Sequence, residues 1–392
     1  MQKLVNKRNA KFEQAVLELL AACKRKDEDP VQLLIDAAQS HVPVDPELEA
    51  HDKDTAETPK KKRRRLKYLM ENPDDRDNIA EIIEELKAQP DYKEQIVPGG
   101  RRTIQPRDAR YQELDFELSQ DLVHALWNGR GIKQFYTHQA EALNAFNQGK
   151  SVIVSTSTSS GKSLIYQIPT MQALESDMDA TAFFIFPTKA LAQDQKRSLH
   201  DLLLQYPGLE ETVVATYDGD TQSDLRKHIR DRASVIFTNP DMLHQAILPS
   251  EDAWRRFLRN LRIVVVDELH TYNGVFGAHV SFIMRRLRRI CTALGNKKVQ
   301  FISCSATVAN PKDHMQTLFG IEDVHVVTND GSPTGQKEWV VWNPPYIDPS
   351  DPVQGRVSAY SEVSKVFVHL VERGVRTILF AKVRRTCEIV IR

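Results

Sequence analysis

The 392-residue chain has only four cysteines, Cys23, Cys291, Cys304 and Cys387, and no two of them are close in sequence. This spacing offers neither a disulfide framework nor a paired-cysteine zinc site, and it fits a reducing compartment. No apolar run is long enough to span a bilayer as a helix, and the charged N-terminus has no apolar block of the secretory kind behind it. A soluble intracellular protein with no membrane partner is expected. Net charge is missing as well, since Lys plus Arg and Asp plus Glu both total 53. A polyanionic partner would have to be met by local basic patches rather than by the charge of the whole chain.

What is present is enough apolar material, 41% of residues, for more than one folded unit. Residues 1–113 read as an extension, partly helical and partly disordered, with amphipathic candidates at Phe12–Lys24 and Val31–Ala38 followed by a polar, proline-spaced stretch. Within it, Pro59-Lys60-Lys61-Lys62-Arg63-Arg64-Arg65 is a block of like charge that must be solvated or held by an acidic partner. The block reads as a nuclear import signal, which makes an import receptor the partner of Lys60–Arg65 and the nucleus the expected location. A solvated turn or a nonspecific nucleic-acid contact is the alternative.

Residues 114–338 change in texture. Short apolar runs at Ser151–Val154, Ala182–Phe186, Thr212–Ala215, Ser234–Phe237, Arg262–Val266 and Val299–Ser303 alternate with helical patterns. The alternation predicts an α/β unit, a parallel sheet with flanking helices, whose chemistry lies beyond the carboxyl ends of the strands. Residues 339–392 begin with a proline-rich connector, Trp339 to Pro345. They continue with a helical stretch, Val363–Val371, and a strand-like Thr377-Ile378-Leu379-Phe380.

The polar residues fall where that architecture requires. Thr156-Ser157-Thr158-Ser159-Ser160-Gly161-Lys162-Ser163 lies between a strand and a helix, so its N–H groups can surround phosphates. Lys162 can neutralise the terminal phosphates and Ser163 can ligate magnesium. Asp267-Glu268-Leu269-His270 ends the buried run Leu261–Val266, where two adjacent carboxylates need a cation. Asp267 is expected to hold the metal and Glu268 to activate water against a γ-phosphate. Tyr136 and Gln139, one helix ahead of the loop, combine a ring with an amide that can pair with adenine, which favours ATP over GTP.

Ser305 and Thr307 follow the next strand, so their hydroxyls can couple the metal site to a neighbouring domain. Pro187, Thr188 and Lys189 end one strand and Thr238, Asn239 and Asp241 another; both groups suit phosphate-backbone contacts, or equally ordinary helix caps. Arg285, Arg286, Arg288 and Arg289 read as a solvated basic helix face.

The series Tyr136-Thr137-His138-Gln139, Gly161-Lys162-Ser163, Pro187-Thr188-Lys189, Thr238-Asn239-Pro240, Asp267-Glu268-Leu269-His270 and Ser305-Ala306-Thr307 resembles the ordered motifs of superfamily 2 helicases. Tyr217-Asp218-Gly219-Asp220-Thr221, the Arg285-to-Cys291 helix and Trp342-Asn343-Pro344-Pro345 look like the Hrq-type helicases, RecQ relatives of fungi and bacteria. The resemblance runs from about Leu114 to the end. It implies a RecA-like P-loop NTPase domain, ATP and Mg2+ as cofactors, and three-prime to five-prime DNA unwinding in genome maintenance. An RNA helicase or remodelling ATPase of the same superfamily is the alternative partner class.

The resemblance further implies two RecA-like domains clamping one ATP, with arginines from late motifs of the second. Ala381-Lys382-Val383-Arg384-Arg385 looks like the first motif of that second domain, and no late motif follows it before Arg392. An N-terminal portion is therefore expected, with an incomplete second domain, no zinc-bearing region and negligible unwinding of its own. A noncatalytic nucleotide- and nucleic-acid-binding fragment is the remaining reading.

Overall fold

The computed structural model describes residues 59–306 and 308–391, and side chains within them except those of 59–64, 384 and 389–391. The expected helices Phe12–Lys24 and Val31–Ala38, Cys23, and Thr307 lie outside the described residues. The chain divides into a unit spanning Gly99–Val340 and a second assembled from Met1–Pro98 and Val341–Arg392.

In the Gly99–Val340 unit, seven strands form one sheet: β1 (Ser151–Ser155), β2 (Thr181–Ile185), β3 (Val214–Thr216), β4 (Val235–Thr238), β5 (Leu261–Val266), β6 (Gln300–Ser305) and β7 (Val324–Val327). Their order is β7-β1-β6-β5-β2-β4-β3, and every pairing is parallel. The expected RecA-like sheet is present, and each of the six expected runs forms one of its strands. The edge strand β7 has no counterpart among those runs.

The strands are made of β-branched and aromatic residues because both sheet faces are covered. On one face Val152, Val154, Phe184, Phe237, Val265 and Ile302 are buried beneath α1 (Gln120–Arg130), α2 (Thr137–Asn147), α3 (Ser163–Ser176) and α4 (Lys189–Leu203). On the other, Ile153, Phe183, Ile236, Val264 and Phe301 pack with α5 (Ser223–Arg232), α6 (Arg255–Asn260), α7 (Gly274–Ala293) and α8 (Pro311–Phe319). The period-two alternation Val152/Ile153/Val154 thus separates the two cores. Helix ends are set locally: Ser119 accepts from Leu122 N–H at the start of α1, and Gly131 in the left-handed region closes it.

The second unit contains helices Pro59–Glu71, Ile79–Lys87, Ala359–Glu372 and Arg384–Ile391. The basic run Pro59–Arg65 forms the first half of the first of these rather than a turn. Asn78 and Glu81 form a reciprocal capping box on Ile79–Lys87. This helix packs against Ala359–Glu372, where His369 Nε2 meets the Ile82 carbonyl at 3.3 Å. The buried Glu362 carboxylate accepts from Trp342 Nε1 at 3.2 Å and Gln95 Nε2 at 3.3 Å, and pairs with Lys365 at 3.3 Å.

The expected strand Thr377–Phe380 is not formed. Its backbone pairs with no other strand among the described residues, and Ile378 and Phe380 are 78% and 90% exposed. An apolar run becomes a strand only where a neighbouring backbone completes its hydrogen bonds.

Ile302 is fully buried on β6, in the middle of the sheet. Ile302→Ala is expected to destabilise the chain by about 3 kcal/mol, read as a lower urea midpoint at an unchanged slope.

Candidate active site

Parallel strands aim their carboxyl ends the same way, so the loops after β1, β5 and β6 meet at one edge of the sheet. β1 pairs with β6 so that Ser155 faces Ser305, and β6 pairs with β5 so that Ser303 faces Val266. The phosphate loop, Asp267 and Ser305 leave the sheet within two residues of the same level. Ser155 ties two of these segments together, because its hydroxyl donates to the Ala306 carbonyl at 3.0 Å and accepts from Val308 N–H at 3.2 Å.

The loop Thr156–Ser163 holds its shape with a single glycine. Thr156 is 2% exposed and its hydroxyl meets that of Ser160 at 2.8 Å, which accommodates a residue larger than the small one usual there. Ser159 takes φ +62° and Gly161 φ +77°, so one of the two left-handed positions is filled by a residue with a side chain. Lys162 turns its ammonium onto the carbonyls of Thr156 (3.1 Å) and Ser157 (2.6 Å), oxygens that stand where phosphate oxygens could replace them. Thr158 and Ser163 complete the loop, Ser163 as the first residue of α3.

Gln139 is 2% exposed, and both ends of its amide are used within the protein. Its oxygen accepts from Tyr136 N–H at 3.0 Å and its nitrogen donates to the Gly161 carbonyl at 2.9 Å. The residue expected to read adenine therefore fastens its own segment to the phosphate loop. The tie leaves no room for a side chain at Gly161, where a Cβ would stand 2.6 Å from the Gln139 amide nitrogen. Tyr136 stacks between Tyr111 (centroids 5.4 Å, 22°) and His138 (5.9 Å, 14°), and the half-exposed Tyr111 extends the aromatic face outward.

At the end of β5, Asp267 accepts from Glu268 N–H at 2.8 Å and from the Tyr166 hydroxyl at 3.5 Å. Burial pushes its carboxyl up to about 6, and the neighbouring Glu268 charge adds to the rise, against the opposing pull of the Glu268 N–H, Lys162 and Tyr166. A carboxylate disfavoured in this way suits a cation. No group of three or more His, Cys, Asp or Glu side chains gathers for a metal among the described residues. Asp267 and the Ser163 hydroxyl would be the chain's own donors to such an ion, with water and ligand oxygens completing its shell.

Glu268 sits in the left-handed region at φ +52°, a conformation that is strained for a residue with a side chain. Its carboxylate lies 3.3 Å from His270 Nδ1, which also meets the Ser305 hydroxyl at 3.2 Å. Glu268, His270 and Ser305 thus form one polar chain along the edge.

The other expected residues are placed less uniformly. Thr188 and Asn239 cap the helices that follow them, accepting from Leu191 N–H (3.3 Å) and Met242 N–H (2.9 Å). Thr238 is 3% exposed and its hydroxyl donates to the Tyr217 carbonyl at 2.8 Å, so that group is turned into the protein and away from any ligand. Lys189 is exposed and pairs with Asp220; Asp241 is exposed and Pro187 half-buried. On α7, Arg285 and Arg288 donate to the carbonyls of Thr317 (3.1 Å) and Phe319 (3.0 Å), so half of the expected solvated arginine face braces the turn after α8.

Tyr166 and His138 are absent from the sequence-based site. Tyr166 lies one turn into α3 and bridges Asp267 to Gln195 of α4 at 2.9 Å. The fully buried His138 meets the Ser160 carbonyl at 3.0 Å. The sequence signal for Tyr166 is its helical spacing from Ser163, and His138 stands inside the Tyr136–Gln139 motif without a role of its own assigned there.

The DEAD/DEAH box helicase family profile matches residues 136–314, the span from Tyr136 to the start of α8. The chain is 44% identical over its whole length to the ATP-dependent helicase hrq1 of Schizosaccharomyces pombe, and 43% identical to HRQ1 of Saccharomyces cerevisiae. It spans 36% of the length of each. The crystal structure of the DUF1998 helicase MrfA bound to DNA and AMPPNP superposes with a TM-score of 0.72 at 38% identity, over 80% of this chain and 42% of that one.

The raised Asp267 pKa gives a stability test with a definite sign. Its contribution is fully present below the unfolded carboxyl value of about 4 and is lost as pH rises through about 6. Without metal, Asp267→Asn is expected to stabilise the chain by about 1–2 kcal/mol at pH 8. Urea titrations should show the gain shrinking toward zero by about pH 4.

Proposed function

We propose that this chain, which carries a DEAD/DEAH box helicase domain homologous to those of the Hrq-type helicases, supplies the ATP-binding and ATP-hydrolysing wall of a DNA-unwinding motor. The observation that carries the reading is the convergence of the Thr156–Ser163 loop, Asp267-Glu268 and the His270–Ser305 contact on one sheet edge. Each group has a place in phosphoanhydride hydrolysis. When phosphates enter, the Lys162 ammonium exchanges the carbonyls of Thr156 and Ser157 for phosphate oxygens, which releases the loop to close around them. Ser163 and Asp267 would hold Mg2+, which when bound neutralises charge on the β- and γ-oxygens. Glu268, aimed by its left-handed backbone, orients the attacking water and takes its proton. His270 is in position to pass a change at Glu268 to Ser305 and the segment beyond it, which Ser155 ties back to the phosphate-loop strand.

The two yeast relatives are named as ATP-dependent helicases, and MrfA is seen with DNA and an ATP analogue; these support DNA as the substrate here. The exposed Lys189 and the capped turns at Thr188 and Asn239 supply the nucleic-acid edge in this reading. Three-prime to five-prime polarity, a role in genome maintenance, and nuclear import through Lys60–Arg65 belong to the same proposal. Because the chain spans about a third of these relatives, the unwinding activity is proposed for a protein that also contains the second domain.

In such a protein, Lys162→Ala is expected to weaken ATP binding by about tenfold or more, and Glu268→Gln to leave binding intact while slowing turnover by about a hundredfold or more. ATPase rates with single-stranded DNA and with RNA decide the partner, with stimulation by DNA expected. Stimulation by RNA alone would sink the DNA assignment, and normal turnover in Glu268→Gln would remove the residue from its role.

A further inference from the structure

The strand absent from the sequence reading leads to a carboxylate with no assigned part. β7 pairs in parallel with β1, the strand that delivers the phosphate loop, and Val327 lies level with Val154. The turn after β7, Asn329-Asp330-Gly331-Ser332, is therefore held beside the turn after β1. Asp330 uses this proximity. Its Oδ2 accepts from both the backbone N–H (3.2 Å) and the hydroxyl (2.5 Å) of Ser157, the second residue of the loop. Its Oδ1 accepts from the N–H (2.9 Å) and hydroxyl (2.7 Å) of Ser332, and Arg107 lies 3.2 Å from Oδ2. Burial alone would raise this carboxyl, but the Ser157 and Ser332 hydrogen bonds outweigh it and hold Asp330 well below the usual carboxylate range. It is an anion at any working pH, with its charge balanced by Arg107 rather than turned against an incoming phosphate.

The turn that carries Asp330 is itself braced. Arg107 donates through Nε (3.1 Å) and Nη2 (2.8 Å) to the Ser332 carbonyl, and Arg110 donates to Asn329 Oδ1 (2.7 Å) and the Asp330 carbonyl (2.9 Å). Gly331 N–H donates to His138 Nδ1 at 3.2 Å, which leaves the proton of this neutral imidazole on Nε2, facing the Ser160 carbonyl. Burial lowers the His138 pKa and keeps the ring neutral. The hydrogen bonds close a ring from Ser157 through Asp330, Gly331 and His138 to Ser160, and the phosphate loop is the segment it encloses.

Ser159 holds a positive φ that its own side chain disfavours, so the loop conformation must be supported by contacts from outside it or ordered by the ligand. We propose that Asp330 is a positioning residue of the phosphate loop, which by gripping Ser157 from the end of β7 presets the loop for a nucleoside triphosphate. The inference rests on the nucleotide reading of the site and adds a residue on a different strand. It places the grip on the first arm of the loop, at the residue whose carbonyl the Lys162 ammonium meets.

The test is binding of a fluorescent ATP analogue with Mg2+, together with steady-state ATPase kinetics, in a protein containing both domains; melting temperature monitors the fold. Asp330→Ala is expected to weaken analogue binding and raise KM for ATP by about tenfold, with kcat within about twofold, the effect of losing charge-assisted hydrogen bonds that prepare the ground state. Asp330→Asn, which keeps one oxygen for Ser157, should recover part of the loss. Ser157→Ala should weaken binding in the parent and add little on top of Asp330→Ala, because the hydroxyl contact it removes is already lost with the carboxylate.

Wild-type affinity in both Asp330 variants, with Lys162→Ala impaired, would overturn the inference and leave the site reading intact. So would full additivity of Ser157→Ala and Asp330→Ala. Should Asp330→Ala fail to fold, Asp330→Asn alone decides, since it must still shift KM at an unchanged melting temperature. Absence of analogue binding in the parent, or binding unaffected by Lys162→Ala, would overturn the site reading and this inference with it.

Discussion

Parallel pairing of β1 with β6 and of β6 with β5 puts Ser155 opposite Ser305 and Val266 opposite Ser303, so three chain segments turn out of the sheet together. Everything at the site depends on that register. A shift of one residue would exchange the two faces of β6 and send Ile302 and Phe301 into the wrong cores, so the hydrophobic burial of the sheet also fixes the chemistry at its edge. The same logic extends one strand outward, where β7 lies beside β1 and brings the Asp330 turn against the phosphate loop.

Strain and unfavourable charge collect at this edge. Ser159 and Glu268 occupy left-handed backbone without being glycine, and Asp267 is a half-buried carboxylate, raised in pKa by desolvation, beside a second one. None of these helps the fold by itself. They are tolerated because the strands beneath are fully buried and hydrogen-bonded, which is how a rigid sheet supports a reactive margin. Groups around the margin then restrain it through single contacts: Gln139 on Gly161, Tyr166 on Asp267, His138 on Ser160 and Ser155 on Ala306. The phosphate loop is held by α2 on one side and by the Asp330 turn on another before any ligand reaches it.

Much of this was legible in the sequence, for a physical reason. A parallel strand is an apolar run whose carboxyl end points at the site, so Val152–Val154 before the phosphate loop and Ile263–Val266 before Asp267 announce both the strand and its chemistry. β7 escaped because His325 interrupts its apolar character and Glu322 and Asp323 stand directly before it. With it went Asp330, an acidic residue in an ordinary turn sequence, since nothing local says that Ser157 lies beside it. Thr377–Phe380 failed in the opposite sense, being apolar enough for a strand yet without a partner among the described residues. Gln139 and Thr238 were found by position, but their atoms are satisfied by the protein, which residue type alone does not reveal. The buried Glu362, held by Trp342 and Gln95, likewise joins distant segments with no sequence signal.

The central claim is that one sheet edge forms a single nucleotide-binding wall. Amide hydrogen exchange of this chain, with and without AMPPNP and Mg2+, tests it most directly. The account predicts slower exchange in the Thr156–Ser163 loop and at Asp267–His270 together, with little change in the strands behind them. Exchange that is unaltered by the nucleotide at this edge, or protection confined to residues elsewhere in the chain, would contradict it.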